Sequence, residues 1–302
     1  MAAQQVIGVD VGGTKILAGV LDRGGQVDRA GERPTPVESQ DEFLAELDDA
    51  VEELRHEGVA ALGFGLPSTI DQAAGRAVSS VHVPLFDLDF RERMTERFGL
   101  PVAMDNDGNA AAIAEWQVGA GRGTRNMIML TLGTGIGGGL ILDGKPFRGA
   151  TGAGAELGHI VLEFGGPPCG HGCDGHGHFE ALASGSAADA EAVRLFGTGA
   201  TGEDLVSRGR AGDATALAAF EDIGQRLGAG IASLINVFEP ELVVLGGGFA
   251  SARDLLLGPA QKVIAVEALR PGRSEVRIVP AELGTRAGLV GAGLIAFEAL
   301  ET

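Results

Sequence analysis

The sequence predicts a mixed α/β fold in two related halves with a cleft between them. Apolar, β-branched segments typical of strands alternate with segments that carry apolar residues at helical spacing, an alternation typical of α/β proteins. Two segments, 6–21 and 127–142, share one layout of apolar strand, glycine turn and apolar strand. This recurrence predicts two related halves, and a binding site is expected in the cleft.

Composition limits the class of protein and its partners. Of 302 residues, 45% are hydrophobic and 21% are charged, which predicts a globular chain of one large domain or two ordinary ones. The formal net charge of −18 argues against nucleic acid and anionic lipid as partners. An anionic nucleotide remains compatible with this charge, because backbone N–H groups and a metal ion can supply a local positive field.

The start of the chain and its apolar stretches predict a cytoplasmic protein. No charged segment followed by an apolar one opens the sequence, and no apolar stretch approaches the roughly 20 residues needed to span a bilayer. The two cysteines, Cys169 and Cys173, lie close together among histidines. In a reducing compartment this spacing favours metal binding over a disulfide.

Local patterns predict the remaining elements. Helices are predicted at 41–56, 109–116 and 213–238, with a packed helix at 284–300, and strands at 59–66, 101–105 and 241–248. We expect loops with one short helix at 68–95. The segment 164–178 is rich in Gly, Cys and His, so we expect a loop there as well.

Three glycine turns follow apolar strands, at 10–15, 132–139 and 246–248. Glycine lets a backbone approach an anion closely, Thr14 offers a hydroxyl, and Asp10 offers a carboxylate for a hydrated cation. One such turn would be interpreted as an ordinary hairpin, whereas three suit the phosphates and nucleoside of a nucleotide. The P-loop pattern is absent, and a strand follows 133–138 where a dinucleotide-binding fold needs a helix.

Five motifs in order resemble the ROK family of bacterial sugar kinases: DVGGTK at 10–15, DNDGNAAAIAE at 105–115, LGTGIGGG at 132–139, GAELGH at 154–159 and PELVVLGGG at 240–248. The resemblance implies a two-domain actin-like ATPase (ribonuclease H-like) fold, Mg²⁺, a hexose in the cleft and ATP between the glycine turns. The residues expected to hold the nucleotide are Asp10, Gly12, Gly13, Thr14, Lys15, Gly133, Thr134, Gly135, Gly137, Gly247 and Gly248. We expect a small N-terminal α/β domain at 1–106, completed by a C-terminal helix at about 286–302. A large α/β domain is expected at 107–285, with a zinc loop at about 159–180.

The resemblance implies that Asp107 is the catalytic base, beside Asn106, which binds the sugar. A carboxylate within hydrogen-bond reach can accept the proton of a sugar hydroxyl as the phosphoryl group transfers. Aspartate is also a preferred N-cap residue, so capping of the following helix is the alternative role, and both roles are compatible at one position. Asp105 is interpreted as a bystander.

The same resemblance implies further sugar contacts from Glu156, His159 and Glu180, and from the turn that contains Gly65 and Pro67. A carboxylate can accept hydrogen bonds from vicinal hydroxyl groups. Outside such a motif, a glutamate would more often be a solvated surface residue. Ser68 stands where the family usually has glycine in this turn.

The cysteine segment departs from the usual family pattern C-x-C-G-x-x-G-C-x-E, in which zinc is held. The resemblance implies four ligands here: His159, Cys169, Cys173 and His178. His171 and His176 are alternatives. A zinc site with four such protein ligands would be a structural site rather than a catalytic one. The other interpretation is a flexible glycine loop with a reactive thiol pair.

These expectations converge on an ATP-dependent kinase that phosphorylates glucose. The nearest alternatives are the same chemistry on N-acetylmannosamine, N-acetylglucosamine, fructose or allose, and, less favoured, polyphosphate as the donor. The family also includes sugar-sensing repressors, but strand residues begin at Val6, which leaves no expected room for a DNA-binding segment. A non-catalytic sugar-binding protein is a further alternative. The resemblance implies a homo-oligomer, a dimer or a tetramer.

Overall fold

The computed structural model describes residues 4–170 and 172–301. In chain order its strands are β1 (Gln5–Val11), β2 (Lys15–Leu21), β3 (Val27–Pro34), β4 (Val59–Leu66), β5 (Thr69–Asp71), β6 (Arg76–Ser79), β7 (Phe86–Leu88), β8 (Val102–Asn106), β9 (Met127–Leu132), β10 (Ile136–Leu142), β11 (Lys145–Phe147), β12 (Pro168–Gly170), β13 (Cys173–His176), β14 (Leu242–Gly246) and β15 (Arg277–Pro280). Its α-helices are α1 (Gln40–Leu54), α2 (Phe90–Phe98), α3 (Asp107–Val118), α4 (Phe179–Ala183), α5 (Gly185–Phe196), α6 (Gly202–Arg210), α7 (Ala214–Phe238), α8 (Arg253–Glu267), α9 (Gly272–Glu275) and α10 (Ala287–Glu298). Short 3₁₀ helices lie at Leu157–His159, Phe249–Ala252 and Gly284–Arg286.

The chain divides into two compact units. Unit 1 comprises Met1–Gly123, Gly139–Ala155 and Glu282–Thr302. Unit 2 comprises Thr124–Gly138 and Glu156–Ala281. The domain boundaries that the sequence predicts, at 1–106 and 107–285, stay a prediction.

Unit 1 contains a sheet with the strand order β3-β2-β1-β4-β8. The predicted hairpin is present, since β1 and β2 pair antiparallel around the first glycine turn. Strands β1, β4 and β8 are parallel, so their carboxyl ends lie at the same edge. In this register Asp10 pairs with Gly65, and Gly65 pairs with Asp105. Three predicted site segments therefore meet at one edge of the sheet.

The helices of unit 1 bury its sheet with their apolar residues. In α1 the spacing of Phe43, Leu47 and Val51 puts all three in the core, and Ser39 caps the helix by accepting a hydrogen bond from the Glu42 N–H. Helix α10 is apolar almost all round and packs against β1, β4 and α3. It is the helix that the sequence predicts at 284–300.

Unit 2 contains three parallel strands in the order β9-β14-β15. Thr131 near the end of β9 pairs with Gly246 at the end of β14, so the second and third glycine turns begin side by side. Helix α7 is the long helix expected at 213–238, and Asp213 caps it by accepting from the Thr215 and Ala216 N–H groups. Apolar residues at helical spacing, among them Ile223, Leu227 and Ile231, are buried, and the helix packs against α8.

Two sequence predictions were wrong in detail. The segment 68–95 holds α2 but also an antiparallel sheet in the order β5-β6-β7, and the segment 164–178 holds the paired strands β12 and β13. Strands of three or four residues are too short for an alternating pattern to show in the sequence. Within the described residues, no helix combines the length and the apolar character needed to cross a membrane.

Candidate functional site

The first glycine turn joins β1 to β2 in unit 1. Its backbone is fixed by a hydrogen bond of 2.8 Å from the Gly12 N–H to the Lys15 carbonyl and by Thr35, whose hydroxyl donates to the Gly12 carbonyl at 2.7 Å. Gly13 and Thr14 are exposed. The Lys15 ammonium forms an exposed ion pair of 2.9 Å with Glu32. The turn thus presents backbone N–H groups and a hydroxyl to solvent, as an anion-binding loop would.

Asp10 lies at the base of this turn, near the end of β1. Helix α10 approaches it at Gly288, where a β-carbon would overlap the Asp10 carboxylate. Burial raises the pKa of Asp10 to about 6, and the charge of Lys15 opposes that rise. A cation near this carboxylate would favour its ionised form, which suits the predicted role beside a hydrated metal ion.

Asn106 and Asp107 form the junction between β8 and α3, and both are half-buried. The Asn106 side chain caps α3 by accepting from the Gly108 N–H at 2.8 Å and the Asn109 N–H at 3.4 Å. The Gly108 N–H also donates to Asp107 Oδ1 at 2.9 Å. Capping is therefore performed by Asn106, and Asp107 is the first residue of the helix, with its carboxylate held by a backbone amide.

Asp105 is not the bystander that the sequence suggested. It is fully buried, and Arg148 Nε donates to its Oδ2 at 2.6 Å. Its Oδ1 accepts from the Asn106 N–H at 2.9 Å and from Asn109 Nδ2 at 3.0 Å. A buried carboxylate is costly unless it is paired and hydrogen-bonded, and here it is both.

Gly65 is the second-last residue of β4, and Pro67 directly follows the strand. Gly65 faces the junction, since a β-carbon there would lie 3.3 Å from Ala110 Cβ and 3.7 Å from Asp107 Cα. The Pro67 carbonyl accepts a 2.5 Å hydrogen bond from Ser80. Ser68 is buried and donates to the Ser79 carbonyl at 2.8 Å, so the serine that replaces the usual glycine fastens this turn to β6.

In unit 2 the second and third glycine turns contact each other. Gly247 has a φ of +85°, and a β-carbon there would overlap the backbone of Leu132, so this position requires glycine. The carbonyl groups of Gly133 and Thr134 accept from the first amides of α5, at 2.8 and 3.1 Å. Around Gly133 and Gly248 there is open space, which leaves their backbone accessible to a ligand.

In unit 2, Glu156 directly precedes the 3₁₀ helix Leu157–His159, and His159 is the last residue of that helix. Desolvation raises the pKa of Glu156, His159 lowers it, and the Glu180 carboxylate raises it further. Glu156 keeps exposed surface, which limits this rise. Ala155, directly before Glu156, has a φ of +66°, a left-handed conformation that is strained for alanine.

The four predicted metal ligands converge in unit 2: the ligand atoms of His159, Cys169, Cys173 and His178 all lie within 4.8 Å of one another. Two backbone hydrogen bonds of 2.9 Å, from Phe179 to Ile160 and from Leu162 to Gly177, hold the chain after His159 alongside the chain around His178. Of the two alternatives, His176 is exposed and outside the cluster, and His171 lies outside the described residues.

The spacing of these atoms fits a tetrahedral zinc ion. Zinc bond lengths imply about 3.3 Å between two nitrogen ligands and about 3.6 Å between nitrogen and sulfur. The Nδ1 atoms of His159 and His178 are 3.2 Å apart. Cys169 Sγ lies 3.7 Å from His159 Nδ1, and Cys173 Sγ lies 3.6 Å from His178 Nδ1. Burial first, and then Cys173 and Glu180, raise the pKa of Cys169 to about 12, so a metal would have to displace the thiol proton.

Glu180 connects the ligand cluster to the second glycine turn. One carboxylate oxygen accepts from the Ile136 N–H at 2.8 Å, and the other lies 3.6 Å from Cys169 Sγ. A β-carbon on Gly135 would overlap this carboxylate. Glycine at this position of the turn thus makes room for Glu180.

Sequence reasoning missed Arg148 and the buried role of Asp105. Arg148 follows β11 in an irregular segment, and its partner Asp105 precedes it by 43 residues. No periodicity or motif links two such positions. The one available signal was an acidic residue at the end of an apolar strand, which a buried partner would have to balance.

Comparisons with known proteins agree with this arrangement of motifs. Residues 6–299 match the sequence model of the ROK family. The glucokinase of Streptomyces coelicolor is 35% identical over 312 residues, which cover 97% of this chain and 97% of the relative.

Solved structures give the same result. The ROK hexokinase from Thermus thermophilus superposes with a TM-score of 0.85 at 36% identity and covers 98% of this chain and 99% of its own. A ROK family glucokinase from Streptomyces griseus, solved with glucose and AMPPNP, has a TM-score of 0.83 at 33% identity, over 97% of this chain and 99% of its own. The predicted α/β fold of the actin-like ATPase type is confirmed, and the chain belongs to the ROK family.

Proposed function

We propose that this protein is an ATP-dependent glucokinase, which transfers the γ-phosphoryl group of ATP to glucose and yields glucose 6-phosphate and ADP. The observation that carries the proposal is Asp107, oriented by the Gly108 amide at the sheet edge of unit 1, in a chain 35% identical to a glucokinase along nearly its full length. The structure of a relative with glucose and AMPPNP supports the same pair of substrates.

In the proposed reaction, the sugar hydroxyl oxygen forms a bond to the γ-phosphorus while the bond from that phosphorus to the bridging oxygen of ADP breaks. The proton of the hydroxyl passes to the Asp107 carboxylate, which acts as general base. Asn106, Glu156, His159 and Glu180, with Gly65 and Pro67, bind and orient the sugar. Orientation matters because phosphoryl transfer depends on positioning and on stabilising charge.

The glycine turns are proposed to hold ATP. Their amides and the hydroxyls of Thr14 and Thr134 suit phosphate oxygens, and Asp10 suits the hydration shell of Mg²⁺. When bound with ATP, Mg²⁺ neutralises charge on the phosphates. Lys15 is assigned to this set as well, although its ammonium pairs with Glu32, so it would have to exchange that partner for a phosphate.

The cluster of His159, Cys169, Cys173 and His178 is proposed as a structural zinc site. Two thiolates and two imidazoles are an accepted zinc set, and four protein ligands leave no position for a reacting water. The metal would fix the segment that carries His159 and Glu180. Metal analysis of purified protein tests this assignment, with one zinc per chain expected.

The test of the proposed activity is a coupled assay across a panel of sugars. Purified protein is assayed with glucose, fructose, allose, N-acetylmannosamine and N-acetylglucosamine, each with ATP and with polyphosphate. We expect the highest kcat/KM with glucose and ATP. A higher value for an N-acetylhexosamine would assign another sugar, and phosphorylation of none of these sugars would refute a kinase. Light scattering on the same sample tests the proposed dimer or tetramer.

A further inference from the structure

Asp105 directly precedes the proposed catalytic pair of Asn106 and Asp107, and it forms an ion pair with Arg148. Arg148 Nε approaches Asp105 Oδ2 to 2.6 Å, and Asp105 is fully buried while the Arg148 side chain is 26% exposed. Among the partners described for Asp105, Arg148 is the one that carries a charge. Removal of one partner from such a pair leaves the other without its charged hydrogen-bond partner, so Arg148 is required to balance the buried Asp105 carboxylate.

The other oxygen of Asp105 holds the backbone of the junction. It accepts from the Asn106 N–H at the end of β8 and from the Asn109 side chain in the first turn of α3. These two bonds fix the angle at which the strand passes into the helix. The Asn106 side chain in turn accepts from the Gly108 N–H. The same N–H donates to Asp107 Oδ1 and orients that carboxylate. A continuous set of hydrogen bonds therefore runs from the Arg148 guanidinium to the Asp107 carboxylate.

Arg148 is itself held within unit 1. Its Nη2 atom forms an ion pair with Oε2 of Glu298, in α10, at 3.2 Å. The Gly154 N–H donates to the Arg148 carbonyl at 3.0 Å and closes a loop. Within this loop, the Thr151 carbonyl accepts from the Gln72 N–H at 2.8 Å. The guanidinium is therefore held by Glu298 as well as by Asp105, and the Arg148 backbone is held by the closed loop.

We propose that Arg148 is a positioning residue for phosphoryl transfer: through Asp105 it sets the conformation of the β8–α3 junction and hence the orientation of the Asp107 carboxylate. This inference rests on the proposed function of Asp107 as the base. Because Arg148 acts on the orientation of a group that works in the transition state, its loss affects kcat more than the KM for the sugar or for ATP.

The main test compares Arg148→Ala with Glu298→Gln. We expect Arg148→Ala to lower kcat by about 10- to 100-fold, as misplacement of a catalytic group does. Both KM values should change by less than about threefold, the sign that transition-state interactions alone were lost. Glu298→Gln removes the outer partner of Arg148 and leaves the contact with Asp105, so its kcat should remain near that of the wild type. Ethylguanidinium added to Arg148→Ala should restore part of kcat, and ethylammonium should restore less, because a guanidinium can refill the space beside Asp105 in the original geometry.

Amide hydrogen exchange provides a readout that does not depend on the kinase activity. We expect faster exchange at Gly108 and Asn109 in Arg148→Ala and no change in Glu298→Gln. If the wild type phosphorylates no sugar, the proposed function fails, and exchange alone decides whether Arg148 holds the junction. Unchanged exchange would overturn the proposal, as would a kcat of Arg148→Ala within about twofold of wild type or an equal loss in Glu298→Gln.

Discussion

The Asp105–Asp107 junction of unit 1 and the histidine–cysteine cluster of unit 2 both gather polar groups, yet they balance them differently. At the junction, the buried carboxylate of Asp105 has a cationic partner and amide donors from the chain itself. In the cluster, four ligand atoms converge on one another, and Cys169 has a raised pKa. The first region is organised by protein groups alone, whereas the second has the geometry of a site that a cation completes.

The largest expected effect is on turnover at the junction. Asp107→Asn keeps the size of the side chain and removes the base, so kcat should fall by roughly 10²- to 10⁴-fold. Glucose affinity, measured by calorimetry, should change little. The matched control is Asp213→Asn, an aspartate at the start of α7, which should leave kcat unchanged. A fully active Asp107→Asn enzyme would reduce Asp107 to a structural residue.

Metal removal should destabilise the histidine–cysteine cluster of unit 2 and leave the Asp105–Asp107 junction of unit 1 intact. Dialysis against a strong chelator is expected to lower the free energy of unfolding by roughly 4 kcal/mol if zinc was present at a thousand times its dissociation constant. Thermal melting with metal analysis measures this effect. Cys173→Ser should lose the metal, and His176→Ala, an exposed histidine of the same hairpin, should retain it. A chelated protein with an unchanged melting curve would show that the cluster needs no cation.

A second buried carboxylate of unit 1, that of Glu115, is also balanced by protein groups, in contrast to the histidine–cysteine cluster. Glu115 is fully buried and accepts from the N–H groups of Ala120, Glu282 and Leu283 at 2.7 to 3.1 Å. Glu115→Ala should cost roughly 2–4 kcal/mol of stability in denaturant unfolding, because buried donors lose their acceptor.

The control for this experiment is Glu282→Gln, which changes an exposed side chain and keeps the backbone donor. It should cost less than about 1 kcal/mol, since its ion pair with Arg122 is solvated. Metal content should be unaffected in both variants. Equal losses of stability would mean that Glu115 does not organise the start of α10.

The smallest expected effect concerns the strained residue before Glu156. Ala155→Gly should stabilise the protein by about 0.5–1 kcal/mol, because glycine adopts a positive φ without the steric cost that alanine has. Ala153→Gly, at a neighbouring position without a positive φ, should be neutral or destabilising. Thermal melts of the two variants decide the matter, and a shift of the same sign in both would argue against strain at Ala155.

Much of the fold was predictable because its signals are local. The glycine hairpin at 6–21, the strand at 59–66 and the helix at 213–238 each follow from periodicity and from residues that begin or end an element, and the structure confirms them. The short strands β5 to β7 and the pair β12 and β13 were missed. Their pairing comes from neighbouring segments, and three or four residues carry too little pattern of their own.

The candidate site, like the fold, was predictable from the sequence only in part. The sequence by itself determined which chemical groups are available: the Asn106–Asp107 pair, the glycine turns and a set of cysteines and histidines with ligand spacing. Tertiary structure alone decided that His178 joins the cluster while His176 does not, and that Asp105 meets Arg148. The physical reason is that a buried charge or a ligand atom is balanced by whatever lies beside it in space. Chain positions 43 residues apart become neighbours only when the sheet, the loop and the helices have packed.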